Sequence, residues 1–174
     1  KSNPALHVIL DSREGWVDSI RHLLSAYIPS EAYPSNRRTP FPEFHYEGIR
    51  KAGEPIKGFG GTASGAAPLR KLHERLTQFC DALVNGRLTT VGKAWEERGA
   101  DGWCEVEVDV DKPYDSTRFI ADVFNAIGAC VVAGNVRRSA EIAIGRPTDQ
   151  TFINLKNYTM HPERAPIGWL SNNT

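Results

Sequence analysis

Hydrophobic residues in the first half of the chain recur with spacings that predict a strand and two helices. Ala5–Leu10 is a short apolar run, which is typical of a strand. Ser12–Tyr27 follows with apolar residues at helical spacing, and Asp11 and Ser12 are residue types that cap helices. We interpret Asp11 as a cap rather than a ligand. Pro68–Asn85 carries a second helical stripe.

The second half of the chain continues this alternation. Trp103–Val110 alternates apolar and acidic residues, as a half-exposed strand does. A third helix is predicted over Ser116–Ile127, capped by its own serine and closed by Gly128. Thr148–Asn157 indicates a short helix, and Ile167–Asn172 indicates a strand. Strands separated by helical crossovers favour the α/β class.

Two apolar runs late in the chain flank a polar turn that carries adjacent arginines. The runs are Cys130–Ala133 and Glu141–Ile144, and we predict that they form two buried strands. The turn consists of Gly134, Asn135, Val136, Arg137, Arg138 and Ser139. Its glycine and asparagine tolerate the positive φ of a tight bend, and its planar guanidiniums suit phosphate or carboxylate groups. The alternative is a surface hairpin with two solvated arginines.

A glycine-rich stretch, Ile49–Pro68, precedes the second helix and is the other candidate binding segment. Its glycines are Gly58, Gly60, Gly61 and Gly65. The run GFGGTA formally matches a dinucleotide fingerprint, but that fingerprint follows a buried strand, whereas Lys51–Lys57 is polar and contains a proline. We therefore predict a loop that runs under a nucleotide, with Arg50 and Lys57 as cations for its phosphates.

The composition is that of an ordinary soluble protein without a strong electrostatic field. The 21 Lys and Arg side chains balance 21 Asp and Glu side chains, so no net charge attracts nucleic acid. The mean hydropathy is −0.40, and no apolar run approaches the length of a membrane span. No signal peptide is visible, and because the chain begins at Lys1 we expect it to be processed or excerpted.

The cysteines and histidines supply no recognisable redox or metal motif. Cys80, Cys104 and Cys130 are far apart and form no C-x-x-C pair, which argues against a disulfide framework and a zinc motif. Such usage favours a reducing cytoplasm. We interpret Cys130 as a buried structural thiol. His73 lies beside the second helical stripe and is expected to be satisfied or exposed, and we assign no metal ligand.

Four long segments together resemble a known family. They are DSREGWVDSI at Asp11–Ile20, IRKAGEPIKGFGGTASGAAPL at Ile49–Leu69, VVAGNVRRSAEIA at Val131–Ala143 and WLSNNT at Trp169–Thr174. Their sequences and order resemble class II, adenosylcobalamin-dependent ribonucleotide reductases of the monomeric ribonucleoside-triphosphate type. The resemblance implies part of a ten-stranded α/β barrel with helical and irregular insertions. It makes 1–174 a single partial domain of the catalytic barrel and 88–115 an insertion.

The resemblance also implies a chemistry and a set of partners. The family reduces the ribose 2′-hydroxyl of ribonucleoside triphosphates through a thiyl radical generated with adenosylcobalamin. A thioredoxin-type reductant supplies electrons, and a deoxynucleoside triphosphate acts as allosteric effector. We expect a monomeric, cytoplasmic enzyme with neither nucleic acid nor membrane among its partners.

Residue by residue, the resemblance assigns two loops and no catalytic group. Gly134–Ser139 matches the loop between the specificity effector and the substrate base, with Arg137 and Arg138 as its main contacts. Ile49–Gly61 matches a second loop near that effector. The family's radical cysteine lies beyond a strand of the SNN type, whereas this chain stops at Thr174. The segment is therefore expected to be inactive alone.

Two other classes of function remain open from the sequence. One is a non-catalytic nucleotide-binding regulatory module that uses the same loops. The other is an α/β interaction domain whose arginines face a partner protein.

Overall fold

The computed structural model describes residues 5–28, 42–56, 60–97, 103–133 and 139–173. The chain forms two compact units. Unit 1 comprises Lys1–Thr77 with Ala133–Val136, and unit 2 comprises Gln78–Val132 with Arg137–Thr174. Among the described helices, none combines the length and apolar character that a bilayer crossing requires.

Unit 1 begins with a β-α-β arrangement. Strand β1 (Ala5–Val8) leads into helix α1 (Arg13–Tyr27), and strand β2 (Pro42–His45) returns parallel to β1. The α1 prediction is confirmed, and its cap is Ser12, whose Oγ accepts a hydrogen bond from the backbone N–H of Gly15 at 3.0 Å. The parallel pairing through a helix is the crossover that the sequence pattern predicts.

Helix α2 (Ala67–Asn85) confirms the second predicted helix. Its apolar stripe is buried, with Leu69 and Leu76 fully inaccessible to solvent. Gly86 follows the helix with φ +66°, a left-handed conformation that glycine adopts without steric cost and that commonly ends helices.

Unit 2 contains a long antiparallel pair. Strands β3 (Arg87–Glu97) and β4 (Trp103–Pro113) pair in an unbroken register from Arg87↔Pro113 to Glu97↔Trp103. The β4 prediction is confirmed. The β3 strand was not predicted, because Arg87–Glu97 contains glycine and charged residues without clean alternation.

Helix α3 (Ser116–Val132) is longer than predicted. The prediction that Cys130–Ala133 is a buried strand is wrong: Cys130 lies in the last turn of α3 and is half-buried. Gly128 does not end the helix; a Cβ there would collide with the Glu141 carboxylate, so glycine permits close packing instead. The capping side chain is also different, since Asp115 accepts from the backbone N–H of Arg118 at 2.8 Å.

The last part of unit 2 pairs strand β5 (Glu141–Ala143) parallel to strand β6 (Ser171–Asn173). Between them lie helix α4 (Gln150–Asn154), a 3-10 turn and helix α5 (Ala165–Gly168). A strand over Glu141–Ile144 is confirmed in part, but it is not buried, because Ile142 is 74% and Ile144 83% exposed. The predicted strand at Ile167–Asn172 begins as the helical turn α5 instead.

The fold class is consistent with part of an α/β fold. Helices and strands are mixed along the chain, and the described strands form three two-stranded sheets, of which β1–β2 and β5–β6 are parallel.

Candidate functional site

The glycine-rich segment forms a small hairpin that leads towards α2. Gly53 donates its backbone N–H to the carbonyl of Ala63 at 2.9 Å, and Ile56 donates to Gly61 at 3.0 Å. Gly60 and Gly61 have φ of +65° and +97°, which L side chains rarely adopt. A Cβ at Gly60 would have nothing within 4 Å, so the backbone there faces open space. Exposed backbone of this kind accommodates a close-approaching ligand.

Arg50, a predicted phosphate cation, is held in an ion pair at the start of this segment. Its Nε donates to Oδ2 of Asp11 at 2.6 Å, and the two side chains are 33% and 30% exposed. This corrects the interpretation of Asp11 as a helix cap, because its carboxylate meets Arg50 while Ser12 caps α1. The sequence identified the cation but not its partner, which lies 39 residues away.

Most of the other predicted site residues lie outside the described part of the chain. These are Lys57, Gly58, Gly134, Asn135, Val136, Arg137 and Arg138. Ser139, the last residue of the predicted arginine turn, is half-buried and precedes β5. Of the predicted site residues, the structure therefore describes four: Arg50, Gly60, Gly61 and Ser139. Arg50 and the two glycines lie in the same glycine-rich segment of unit 1.

A buried histidine in unit 1 bridges two hydroxyl groups. The hydroxyl of Ser19 donates to the carbonyl of Trp16 at 2.7 Å, so its oxygen accepts from Nε2 of His73 at 2.9 Å. Nδ1 of His73 then accepts from the hydroxyl of Tyr46 at 2.7 Å. This assignment requires a neutral imidazole, and burial lowers the pKa of His73 to about 4. The expectation that His73 is satisfied is confirmed.

The Ser19–His73 contact does not constitute a nucleophile and its base. Ser19 is completely buried, so no substrate carbonyl or phosphoryl group has access to its oxygen. Phe44 stacks on the His73 ring with centroids 4.1 Å apart, and the guanidinium of Arg70 lies 4.2 Å from the centre of the Tyr46 ring. The arrangement fixes α1, β2 and α2 against one another within unit 1.

A charged cluster is buried in unit 2. Arg118, Asp122 and Arg164 are each at most 2% exposed. The Asp122 carboxylate accepts from Nε of Arg118 at 2.9 Å and from Nε of Arg164 at 2.6 Å. Arg118 also donates to Glu163 at 2.5 Å. Burial alone would raise the pKa of Glu163, but the hydrogen bond and charge of Arg118 outweigh it, so this pKa is lowered.

The sequence interpretation missed this cluster, although a signal was present. Arg118, Asp122 and Asn125 recur at helical spacing along α3, which makes a polar stripe on an otherwise apolar helix. Ile120 and Phe124, two apolar residues of the same helix, are in contrast 56% and 60% exposed. A polar stripe of this kind is informative because buried charges require partners.

Cys80 and Cys130, the two cysteines whose side chains the structure describes, carry no sign of activation. Burial raises the pKa of the Cys80 thiol to about 12 and that of Cys130 to about 11. A reactive thiol is instead a thiolate near neutral pH. Both thiols therefore fit a structural role; for Cys130 this agrees with the predicted role, although the residue is half-buried and lies in a helix rather than in a strand.

Comparison with known proteins relates the chain to one group of enzymes. The model for the insertion domain of B12-dependent ribonucleotide reductase matches residues 2–79. A Dictyostelium discoideum protein named as a probable adenosylcobalamin-dependent ribonucleoside-triphosphate reductase is 43% identical over 97% of this chain. The Euglena gracilis adenosylcobalamin-dependent ribonucleoside-triphosphate reductase is 40% identical over 96%. The chain is similar over nearly its whole length to adenosylcobalamin-dependent ribonucleotide reductases.

The chain corresponds to a segment of those reductases. It spans 18% of the length of the Dictyostelium and Euglena proteins. A crystal structure of a B12-dependent, class II ribonucleotide reductase matches 100% of the chain with a TM-score of 0.66 and 27% identity, and the match covers 20% of that protein. The family recognised from the four sequence segments is thereby confirmed.

The insertion-domain match covers the part of this reductase segment that contains the glycine-rich hairpin and the His73 bridge. It ends at residue 79, within α2. The assignment of 88–115 as an insertion and of 1–174 as one partial domain stays a prediction.

Proposed function

We propose that the chain is a segment of an adenosylcobalamin-dependent ribonucleoside-triphosphate reductase. The enzyme would replace the 2′-hydroxyl of a ribonucleoside triphosphate by hydrogen, with a thioredoxin-type protein as reductant. The observation that carries this proposal is the 40% identity, over 96% of this chain, to the Euglena gracilis protein named as such a reductase. The complete enzyme would be monomeric and cytoplasmic, and this segment would contribute to its ten-stranded α/β barrel.

Adenosylcobalamin would supply the radical in the complete enzyme. No residue of this segment is assigned to that cofactor; the buried His73 has both ring nitrogens engaged within the fold. The segment's contribution is therefore binding and positioning rather than a chemical step.

Within that enzyme, we assign the segment a part in binding the deoxynucleoside triphosphate effector. The open backbone at Gly60, next to Gly61, supports this role, since glycine allows phosphates or a base to approach the main chain closely. Lys57 and Gly58 precede these glycines directly. Arg50 would meet phosphate through its terminal guanidinium nitrogens, since Asp11 engages Nε.

The arginine loop is assigned the complementary role of coupling effector to substrate. Gly134, Asn135, Val136, Arg137, Arg138 and Ser139 form this loop in sequence. Binding of the effector would bias the loop conformation, and linkage requires substrate binding to affect the effector reciprocally.

Calorimetric titration with each of the four deoxynucleoside triphosphates tests effector binding by the folded chain. We expect saturable binding that Lys57→Ala and Arg137→Ala abolish, because the first removes a proposed phosphate cation and the second removes an arginine of the loop next to the effector. Arg13→Ala is the matched control: Arg13 is 75% exposed and pairs with its neighbour Glu14. A folded chain that binds none of the four nucleotides would contradict the effector role.

Turnover in the complete reductase tests the coupling role separately. We expect Arg137→Ala to weaken effector-dependent base selection more than basal turnover, because the arginine acts between two sites rather than at the reacting bond. Each substrate is assayed with and without its cognate effector. An unchanged selectivity ratio would overturn this assignment.

A further inference from the structure

We propose that His7, Asp18 and His22 form a binding site for a divalent transition-metal ion of the Zn²⁺ class. The site joins strand β1 to helix α1 in unit 1. It is independent of the effector role proposed above, which uses none of these three residues.

The three side chains converge from two elements. Asp18 and His22 are one helical turn apart on α1, so they point to the same side of the helix. His7 extends from β1, and its ring centroid lies 4.5 Å from that of His22. One ligand atom from each residue can be chosen so that all three lie within 4.8 Å of one another.

The neighbouring side chains orient two of the three ligands. Arg21 donates from Nε and Nη2 to Oδ1 of Asp18, at 3.1 and 2.5 Å. That leaves Oδ2 directed towards Nε2 of His22, at 3.6 Å. The ring of Phe44 meets His7 edge-on, with centroids 5.8 Å apart and an interplanar angle of 83°. A hydrogen-bonded carboxylate of this kind is typical of metal sites.

The ligand set determines the class of ion. Two imidazoles and one carboxylate suit Zn²⁺ and its neighbours in the first transition row, whereas Ca²⁺ and Mg²⁺ prefer oxygen ligands.

Coordination requires only a small local movement. Ligand distances of about 2.0–2.1 Å place the donor atoms of a tetrahedral zinc roughly 3.3 Å apart. The donors here lie within 4.8 Å, so side-chain rotation must close the site. His22 and Asp18 are 38% and 44% exposed, which leaves a path for the ion and room for water as the fourth ligand.

The test is metal binding by the folded chain at pH about 7.5. Zn²⁺ affinity is measured by competition with a chromophoric chelator, and Co²⁺ reports the ligand geometry through its visible absorption. We expect one ion per chain. His7→Gln and His22→Gln should each weaken Zn²⁺ binding more than about 10-fold, since outer-shell partners alone are worth 10- to 100-fold.

His45→Gln is the matched control, because His45 lies on β2 outside the triad and its removal should leave the affinity unchanged. Circular dichroism confirms that each variant is folded, and Asp18→Asn provides a third test if a histidine variant unfolds. Zn²⁺ should also raise the melting temperature of the parent chain, because it joins β1 to α1 in the folded state alone. Absence of stoichiometric binding, or a Zn²⁺ affinity in both histidine variants equal to that of the parent chain, would overturn the proposal.

Discussion

Asp122→Asn should severely destabilise unit 2, because the Asp122 carboxylate neutralises two buried guanidiniums. Its oxygens lie 2.9 Å from Nε of Arg118 and 2.6 Å from Nε of Arg164, and the hydroxyl of Tyr114 donates to it at 3.0 Å. The asparagine side chain has nearly the same volume, so the substitution removes the charge without opening a cavity.

The substitution would leave the two arginines with different partners. Arg118 keeps its contact with Glu163 at 2.5 Å. Arg164, in contrast, would keep only neutral acceptors among the described residues, namely the carbonyl of Leu155 and Oδ1 of Asn125. Breaking a buried ion pair on one side costs about 3–5 kcal/mol, because an uncompensated charge stays buried. We expect a loss in this range for the free energy of unfolding.

Urea denaturation followed by far-UV circular dichroism measures this loss. The control is Asp111→Asn, which breaks a second arginine–aspartate pair, with Arg87, on the surface of the same unit. Those two side chains are 63% and 50% exposed, so we expect no measurable change in the denaturation midpoint. If both variants lose the same free energy, burial is not the cause and the reasoning is refuted.

Two further variants test unit 1. Ser12→Ala removes the cap of α1 and should cost about 1 kcal/mol of unfolding free energy, measured by urea denaturation; no loss would mean that water replaces the 3.0 Å bond to Gly15 equally well. The pKa of His73 is about 4 in the folded chain and 6.5 in the unfolded chain, so the unfolded state takes up the proton first as pH falls. The free energy of unfolding should therefore decline from about pH 6.5 to pH 4 by up to about 3 kcal/mol. His73→Gln should reduce this pH dependence, whereas the control His45→Gln should leave it unchanged. Equal pH dependence in the parent chain and both variants would contradict the assignment.

The helices whose apolar residues recur at helical spacing, α1 and α2, could be predicted from the sequence. Helix α3 could not be predicted in full, because its buried face holds Arg118 and Asp122 while Phe124 on the opposite side is exposed. Burial of those charges depends on Arg164, which lies far along the chain and carries no local signal. The apolar run at the end of α3 has strand propensity, but the helix continues through it because tertiary packing outweighs local preference.

The candidate site shows the same division between local and distant information. Positive φ at Gly60 and Gly61 agrees with a loop prediction based on glycine itself. The pairing of β1 with β2 brings Asp11, which follows β1, close to Arg50, which follows β2. The contact of His7 with His22 likewise depends on how β1 packs against α1. Such contacts join residues that no local pattern relates.

The separation of paired strands along the sequence bears on the order in which the chain folds. The β3–β4 ladder closes between Glu97 and Trp103, which are near neighbours in sequence, whereas Ala5 must find Pro42 across the whole of α1 before β1–β2 forms. Loop closure costs more entropy for the distant pair, and local hairpins form in microseconds. We therefore expect the β3–β4 pair to form early and the strand pair that carries His7 to form in a later, non-local step of folding.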